Sequence, residues 1–466
     1  MPIEAVTKNH LVEKLSANNF LSLYNFKYEH GDEQFKQFNV ITGDMASGKS
    51  LIMKLLEFFN NIYTPLIGKD YRDYKELVEN LEFDNFSKMV IINFMIRFNL
   101  KENMVFDVTY SCSYKKTIFS VELFRSSPKE KVQLKSEFLD KQLKEWKSYI
   151  EFYIKSKENT REKNKENKRE YNKYFKNFMN QQELSMLRNT LYKMLSSKFK
   201  YLYPIATIFI PASRASLAAR YPLNKRIEDD IDKLNSNFRD YYLNKYERLI
   251  ESIKFLPETK YRDKINNILK ATIKIDGDIR LFSKDGREVD ICNASSGQQE
   301  SFYILLLLEK LPILKKYYGN CTMYIEEPEA HLFPLEQKLI LELIAQIFND
   351  INKAGRTPIK FYITTHSPYV LNTINNMLIK GNIIKNNESS IKQIENDKNT
   401  ESIPYLNYEN VSAVFINNKG SVDKILKEYG GDYLINPNEI NNIDKCLNDD
   451  LSNLDELKTK LKSKNA

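Results

Sequence analysis

An α/β fold is predicted: a mixed sheet carrying a glycine-rich strand-turn-helix junction, joined to an antiparallel β meander and interrupted by a helical hairpin insertion. Three observations predict it. The run QFNVITGDMASGKSLIMKLLEFFNNIY passes from an apolar strand, through a turn with two glycines, into helically spaced apolar residues. Two later segments, CTMYIEEPEAHLFP and KFYITTHSPYVLNTI, repeat the strand-to-turn-to-helix order, which builds a mainly parallel sheet. Between them and the first run lies a stretch of coiled-coil-like spacing with a strongly polar centre.

Four regions follow in order. Residues 1–124 form a first lobe, in which FLSLYNFKYE and QFNVIT read as extended and SLIMKLLEFFNNIY as helix. MVIINFMIRF, MVFDVTYSC and TIFSVELF then read as three strands of the meander. In residues 125–200, Leu139, Leu143, Trp146, Ile150 and Tyr153 recur at spacings of four and three, as do Tyr171, Phe175 and Phe178, then Leu187, Leu191 and Met194. With the polar SKENTREKNKENKRE between them, these predict a helical hairpin with a charged tip standing away from the core; packing as an ordinary subdomain is the alternative. Residues 201–380 return to strand character at YPIATIFIPASR and alternate strands with helices as a second lobe. Residues 381–466 read as an Asn-, Lys- and Asp-rich α/β tail for oligomer or partner contacts, with NNESSIKQIENDKNTES as loop and VSAVFINN as a strand.

Composition sets the outer limits. With 466 residues, 42% hydrophobic and 28% charged, the chain has ample material for a buried core. The first residues lack the pattern of an export signal, and no apolar run comes near the length of a membrane span. Four widely separated cysteines without metal-like pairing suit a reducing compartment, so a cytoplasmic protein with free thiols is expected. The net charge of +8 is uneven: residues 125–200 hold twenty Lys and Arg against ten Asp and Glu, a surplus larger than that of the whole chain.

Four motifs carry chemistry. Residues 43–50, GDMASGKS, match a phosphate-binding loop between strand and helix. Gly43 and Gly48 let the amides of Asp44, Met45, Ala46 and Ser47 turn toward phosphate, Lys49 reaches the β and γ oxygens, Ser50 offers a hydroxyl to Mg²⁺, and Leu51 completes the nucleotide-binding set. Glu326 and Glu327 follow an apolar strand; alone such a pair is usually a solvated turn, but beside a P-loop Glu326 is assigned to the metal and Glu327 to activation of water. His366, at the end of a further strand, is placed to meet a γ-phosphate, where a lone histidine would otherwise be structural. In ASSGQQE, Ser295 and Ser296 can cap a helix whose first amides, near Gly297 and Gln298, form an anion site.

In that order GDMASGKS, SSGQQE, IEEPEAH and TTHSP resemble the ABC ATPase superfamily, in the branch of the structural-maintenance, double-strand-break repair and OLD-like ATPases. The resemblance implies an ABC-ATPase head in which Ser296 and Gly297 act as a signature meeting the γ-phosphate of ATP held by another subunit, so that ATP joins a homo-oligomer and Glu327 limits its life. Met45 and Ala46 stand where such ATPases commonly have Asn-Gly, Gln298 where transporters have Gly, and Glu326 where Asp is usual. No glutamine lies between Ser50 and Arg125, so the usual glutamine loop has no assigned residue. IPASR at residues 210–214, the short basic insertion and the tail SAVFINNKGSVDKIL are similar to stand-alone ATPases of bacterial anti-phage systems, above all the AriA family of the PARIS systems. That similarity implies a sensor ATPase holding a separate Toprim-type effector nuclease of the AriB kind, released when a viral anti-restriction or DNA-mimic protein is detected. No nuclease site of the chain's own is evident, since the acids of LNDDLSNLDELK read as a helix surface.

Two other function classes stay open. A DNA repair or chromosome-maintenance ATPase would lay the basic insertion, with Lys163, Lys165, Lys168 and Arg169, on duplex phosphates, although Lys and Glu alternate there as on a solvated helix. A transporter subunit would need a membrane partner, against which the insertion argues.

Overall fold

The computed structural model describes residues 11–29, 35–67, 74–101, 103–114, 117–162, 206–214, 241–276, 278–318, 321–353, 359–386 and 403–435. The first lobe carries an antiparallel sheet of order β2-β1-β4-β5-β6, made by β1 (Leu11–Phe20), β2 (Leu23–Glu29), β4 (Phe106–Tyr114), β5 (Thr117–Arg125) and β6 (Gln133–Lys135). The central sheet has the order β14-β13-β3-β12-β11-β7, from β3 (Phe38–Gly43), β7 (Ala206–Ile210), β11 (Cys321–Glu326), β12 (Ile359–Thr364), β13 (Val411–Ile416) and β14 (Val422–Lys424). All its pairings are parallel except that of β14 with β13. A small antiparallel sheet of β8 (Ala271–Asp276), β9 (Asp278–Ser283) and β10 (Glu288–Asp290), and a hairpin of β15 (Leu426–Tyr429) and β16 (Asp432–Ile435), complete the strands.

The central strands are apolar on both faces because the sheet is a wall between two cores. Side chains alternate across a strand, so Phe38 and Val40 of β3, Met323 and Ile325 of β11, and Phe361 and Ile363 of β12 pack with the helices of the second lobe. Their neighbours Ile41, Tyr324 and Tyr362 face the first lobe. On that face Tyr324 stacks on Tyr362 at 5.0 Å and on Phe209 at 6.1 Å, a ladder running across three paired strands. This is the expected mixed sheet with a P-loop core, joined to an antiparallel β subdomain.

Three expectations need correction. MVIINFMIRF is not the first strand of the meander but the end of the helix Phe83–Phe98. Phe86, Val90, Phe94 and Arg97 are buried while Ile92 and Ile96 are exposed at 58% and 63%, a helical face that the run of apolar residues on both sides conceals. Phe94 lies against Phe20, Phe58 and Phe106, so tertiary packing selects the helix, and the missing strand of the sheet is β1. Second, the insertion does not stand away from the core at its base: in the helix Glu137–Glu162, Leu139, Leu143, Trp146 and Ile150 are buried in the first lobe. Tyr171, Phe175, Phe178, Leu187, Leu191, Met194 and the basic tip lie outside the described residues. Third, the C-terminal region is not merely a tail, because β13 pairs with β3 along its whole length. LNDDLSNLDELK and the segment 387–402 lie outside the described residues.

Among the described residues no helix is long and apolar enough to cross a membrane, and Cys112, Cys292 and Cys321 are free thiols. Trp146, the single tryptophan, is 1% exposed and its ring is 5.2 Å from that of Tyr63. Trp146→Ala is therefore expected to cost about 3–5 kcal/mol of stability, measured by denaturant unfolding followed by far-ultraviolet circular dichroism. A loss under about 0.5 kcal/mol, as for a surface residue, would contradict this packing.

Candidate functional site

β3 delivers its last residue, Gly43, to a turn that the helix Lys49–Asn60 ends. Gly43 has φ 151, and a Cβ there would lie 2.0 Å from the carbonyl oxygen of Ile416, so only glycine lets β13 approach. β13 holds the loop in return: Asp44 N–H donates to Ile416 O at 3.0 Å, and Asn418 N–H donates to Asp44 Oδ2 at 2.9 Å. Ala46 takes a left-handed φ of 61, a conformation costing a non-glycine residue roughly 1–2 kcal/mol. Gly48 caps the helix at φ 85. Lys49 folds back over the loop, its Nζ donating to Gly43 O at 3.0 Å, Asp44 O at 2.6 Å and Ser47 Oγ at 3.3 Å. Burial holds the Lys49 ammonium below its ordinary pKa, against the opposing charges of Glu327 and Asp44.

β11 and β12 bring their ends to the same edge, Glu326 pairing with Thr364. Glu326 is 3% exposed, and its Oε2 accepts from Ala212 N–H at 2.8 Å. Glu327 leaves the strand with φ 43, its N–H donating to Thr364 O at 3.1 Å. Its Oε1 lies 3.3 Å from Nε2 of His366. Burial lowers the His366 pKa, Lys49 lowers it further, and Glu327 works the other way. Lys49, Glu327 and His366 therefore feel one another across one sheet edge.

The loop 327–333 is braced by Glu329, whose Oε1 accepts from Thr365 Oγ1 at 2.5 Å and from His366 N–H at 3.1 Å. Burial pushes this carboxyl up from its ordinary value despite those bonds. Glu329 and Arg214 carry no assigned role in the sequence reading and enter it only as members of IEEPEAH and IPASR, Arg214 lying on the turn after β7. The guanidinium of Arg214 reaches the carbonyls of Glu326 and Glu327 at 2.8 and 2.7 Å.

The helix Ser296–Tyr318 begins in a capping box: Ser295 N–H donates to Gln298 Oε1 at 3.2 Å and Gln298 N–H to Ser295 Oγ at 3.4 Å. Gln298 Nε2 donates to Leu269 O at 2.9 Å, so Ser295 and Gln298 serve the helix start and its seat on the second lobe. A Cβ on Gly297 would lie 2.7 Å from His331 O, which explains the glycine by close approach. Ser296 and Gly297 thus adjoin the loop after β11, while Lys49, Glu327 and His366 form their own cluster.

Two outcomes are expected. In histidine-resolved NMR, His366 titrates below the ordinary imidazole range, moves up in Lys49→Ala and further down in Glu327→Gln. Because the unfolded chain takes up that proton first as pH falls, the neutral imidazole supports stability above the ordinary histidine pKa and loses it through the lower folded value. A titration above the ordinary value would contradict the geometry. Gly297→Ala is expected to shift the loop at His331 and reduce turnover, and unchanged turnover would contradict this close packing.

No curated protein matches the chain. Solved structures similar to it include an SMC head domain from Thermotoga maritima, with 9% identity, 90% of this chain and 99% of that one covered, and a TM-score of 0.30. A Pyrococcus furiosus Smc head with an extended coiled coil, bound to the C-terminal domain of ScpA, has 12% identity, coverage of 94% and 99%, and a TM-score of 0.32. The recombination mediator RecF with ATP, of the RecFOR pathway, has 14% identity, coverage of 90% and 98%, and a TM-score of 0.30. These overlaps are shallow, and the family follows from sequence instead: the AAA ATPase domain matches residues 12–371, a span reaching from β1 past the P-loop, the capped helix, β11 and His366. The chain belongs to the AAA ATPase domain family and is an ATP-hydrolysing enzyme.

Proposed function

We propose that the chain is an ATP-driven switch in which ATP on the P-loop of one subunit is clasped by the signature of a second, and hydrolysis reopens the pair. The observation that carries this reading is the division of the site. Lys49, Glu327 and His366 meet at one sheet edge, whereas Ser296 and Gly297 start a capped helix seated on Leu269 and His331. That helix start offers amide donors and a positive dipole end to an anion supplied by another subunit.

On binding, Lys49 exchanges its loop carbonyls for β and γ oxygens, and the amides of residues 43–50 cradle the phosphates. Ser50 and Glu326 are hard oxygen donors of the kind Mg²⁺ takes, and they would hold it. Bound there, Mg²⁺ supplies neutralisation of the β and γ charges. Glu327 accepts the proton of the water that attacks the γ-phosphorus, the bond to the ADP oxygen breaks, and neutral His366 hydrogen-bonds the phosphoryl group. Lys49→Ala is expected to weaken ATP binding by about 10- to 100-fold, the worth of a bond to a charged group. Isothermal titration measures this, and unchanged affinity would sink the assigned site.

The finer reading is a cytoplasmic sensor ATPase of an anti-phage system, a homo-oligomer that holds a separate Toprim-type nuclease until a viral protein triggers release. IPASR, IEEPEAH and the tail motif support it by resemblance. The surplus of ten positive charges in residues 125–200 favours one second reading, a repair ATPase on duplex DNA. Wild type and Glu327→Gln, each co-expressed with the adjacent gene, separate the two when mass is measured with and without ATP and Mg²⁺. An ATP-dependent homo-oligomer that retains the neighbour supports the sensor; a monomer indifferent to ATP that binds duplex DNA overturns the shared site and supports repair.

A further inference from the structure

Arg214 is wholly buried, at 0% exposure, on the turn Ala212–Arg214 after β7. Its guanidinium donates to four main-chain carbonyls drawn from three segments. Nη1 reaches Pro211 O at 3.2 Å and Glu326 O at 2.8 Å, Nη2 reaches Glu327 O at 2.7 Å, and Nε reaches Glu300 O at 3.0 Å. Nε also lies 3.4 Å from the Glu300 carboxylate. Only arginine presents enough donors in a fixed fork to set these carbonyls relative to one another. An apolar side chain would fill the same space without the cost of burying a charge, so packing alone does not call for arginine here.

What the fork joins is specific. Glu300 stands near the start of the signature helix, five residues along Ser296–Tyr318. Glu327 is the candidate base, and its left-handed backbone is pinned on both sides. Its N–H is held by Thr364 O at 3.1 Å and its carbonyl by Arg214. The direction of the Glu327 side chain toward His366 follows from those two anchors. The same turn fixes Glu326 through the Ala212 amide. A displacement of the signature helix therefore pulls on the peptide that aims Glu327.

We propose that Arg214 is a positioning residue that couples the signature helix to Glu327, so that seating this subunit's signature on a partner's nucleotide sets the carboxylate of its own site. The proposal rests on the shared-site reading above and adds the part that transmits engagement. Lysine in its place keeps the charge but has one ammonium for four carbonyls.

The test uses the full chain. Wild type is first checked for ATP binding and ATP-dependent self-association; absence of both defeats the shared-site reading and the coupling with it. Given both, Arg214→Lys is expected to bind ATP within about threefold of wild type while kcat falls about a hundredfold, the scale of a misaimed catalytic group. An unchanged kcat, or affinity and kcat falling together, overturns the proposal. Should Arg214→Lys fail to fold, amide hydrogen exchange decides on chains that keep Arg214. In Glu327→Gln, ATP with Mg²⁺ is expected to protect the amides of residues 327–330, and adding Ser296→Arg to block the signature is expected to remove that protection. Protection that persists in the double variant shows that a subunit's own nucleotide suffices, and overturns the coupling.

Discussion

β3, β12 and β11 pair in parallel, Ile41 opposite Thr364 and Thr364 opposite Glu326, so three distant chain segments turn off one edge of the sheet. Every group of the candidate site depends on that register. Neighbouring strands lie about 4.8 Å apart, which brings the P-loop lysine, the carboxylate after β11 and the imidazole after β12 within mutual electrostatic reach although more than three hundred residues separate the first from the last. A slip of one residue would exchange the two faces of each strand and send Tyr324 and Tyr362 into the wrong core. β13 adds the last constraint, fastening the P-loop turn through Ile416 and Asn418.

Buried charges tie the lobes to this sheet. Glu57, near the far end of the P-loop helix, accepts from Arg97 Nη1 at 2.7 Å in the first lobe and from Lys245 Nζ at 2.9 Å in the helix Tyr241–Ile253. Thr207 of β7 adds a bond at 3.1 Å. Burial works to raise the Glu57 pKa, but the two cations prevail and hold it below the ordinary carboxylate value. Glu309 does similar service in the second lobe with Arg262 and Lys310. Such pairs add little net stability, yet breaking one leaves a buried charge uncompensated at a cost of about 3–5 kcal/mol. They hold one arrangement against its alternatives.

Strain collects at the candidate site. Ala46, Glu327 and His331 all adopt positive φ, in the P-loop and in the loop that follows β11. Each is surrounded by bonds that hold it: Asp44 to β13 beside Ala46, Thr364 and Arg214 around Glu327, and Gly297 against His331. Backbone of this kind persists only where its surroundings over-determine it, and it aims side chains in directions a relaxed chain would not.

The P-loop, the paired carboxylates, the histidine and the capped serine turn were legible in sequence because each is a local pattern: a strand, a turn residue and a helix start in consecutive positions. The same locality failed for MVIINFMIRF, where apolar residues on every side carry no period and only the ring packing around Phe94 selects helix. It failed also for the base of the insertion, whose spacing of four and three describes a buried helix as well as a coiled coil until Tyr63 is seen against Trp146. Arg214 and Glu329 were illegible for a different reason: their roles lie in bonds to residues 300, 326, 327, 365 and 366, and no short segment contains both ends of such a bond. The sequence by itself determined which local patterns carry the candidate groups, a strand end, a turn and a helix start in consecutive positions. Only the tertiary structure decided which of those groups face one another, because the parallel pairing that unites them joins strands far apart in the chain.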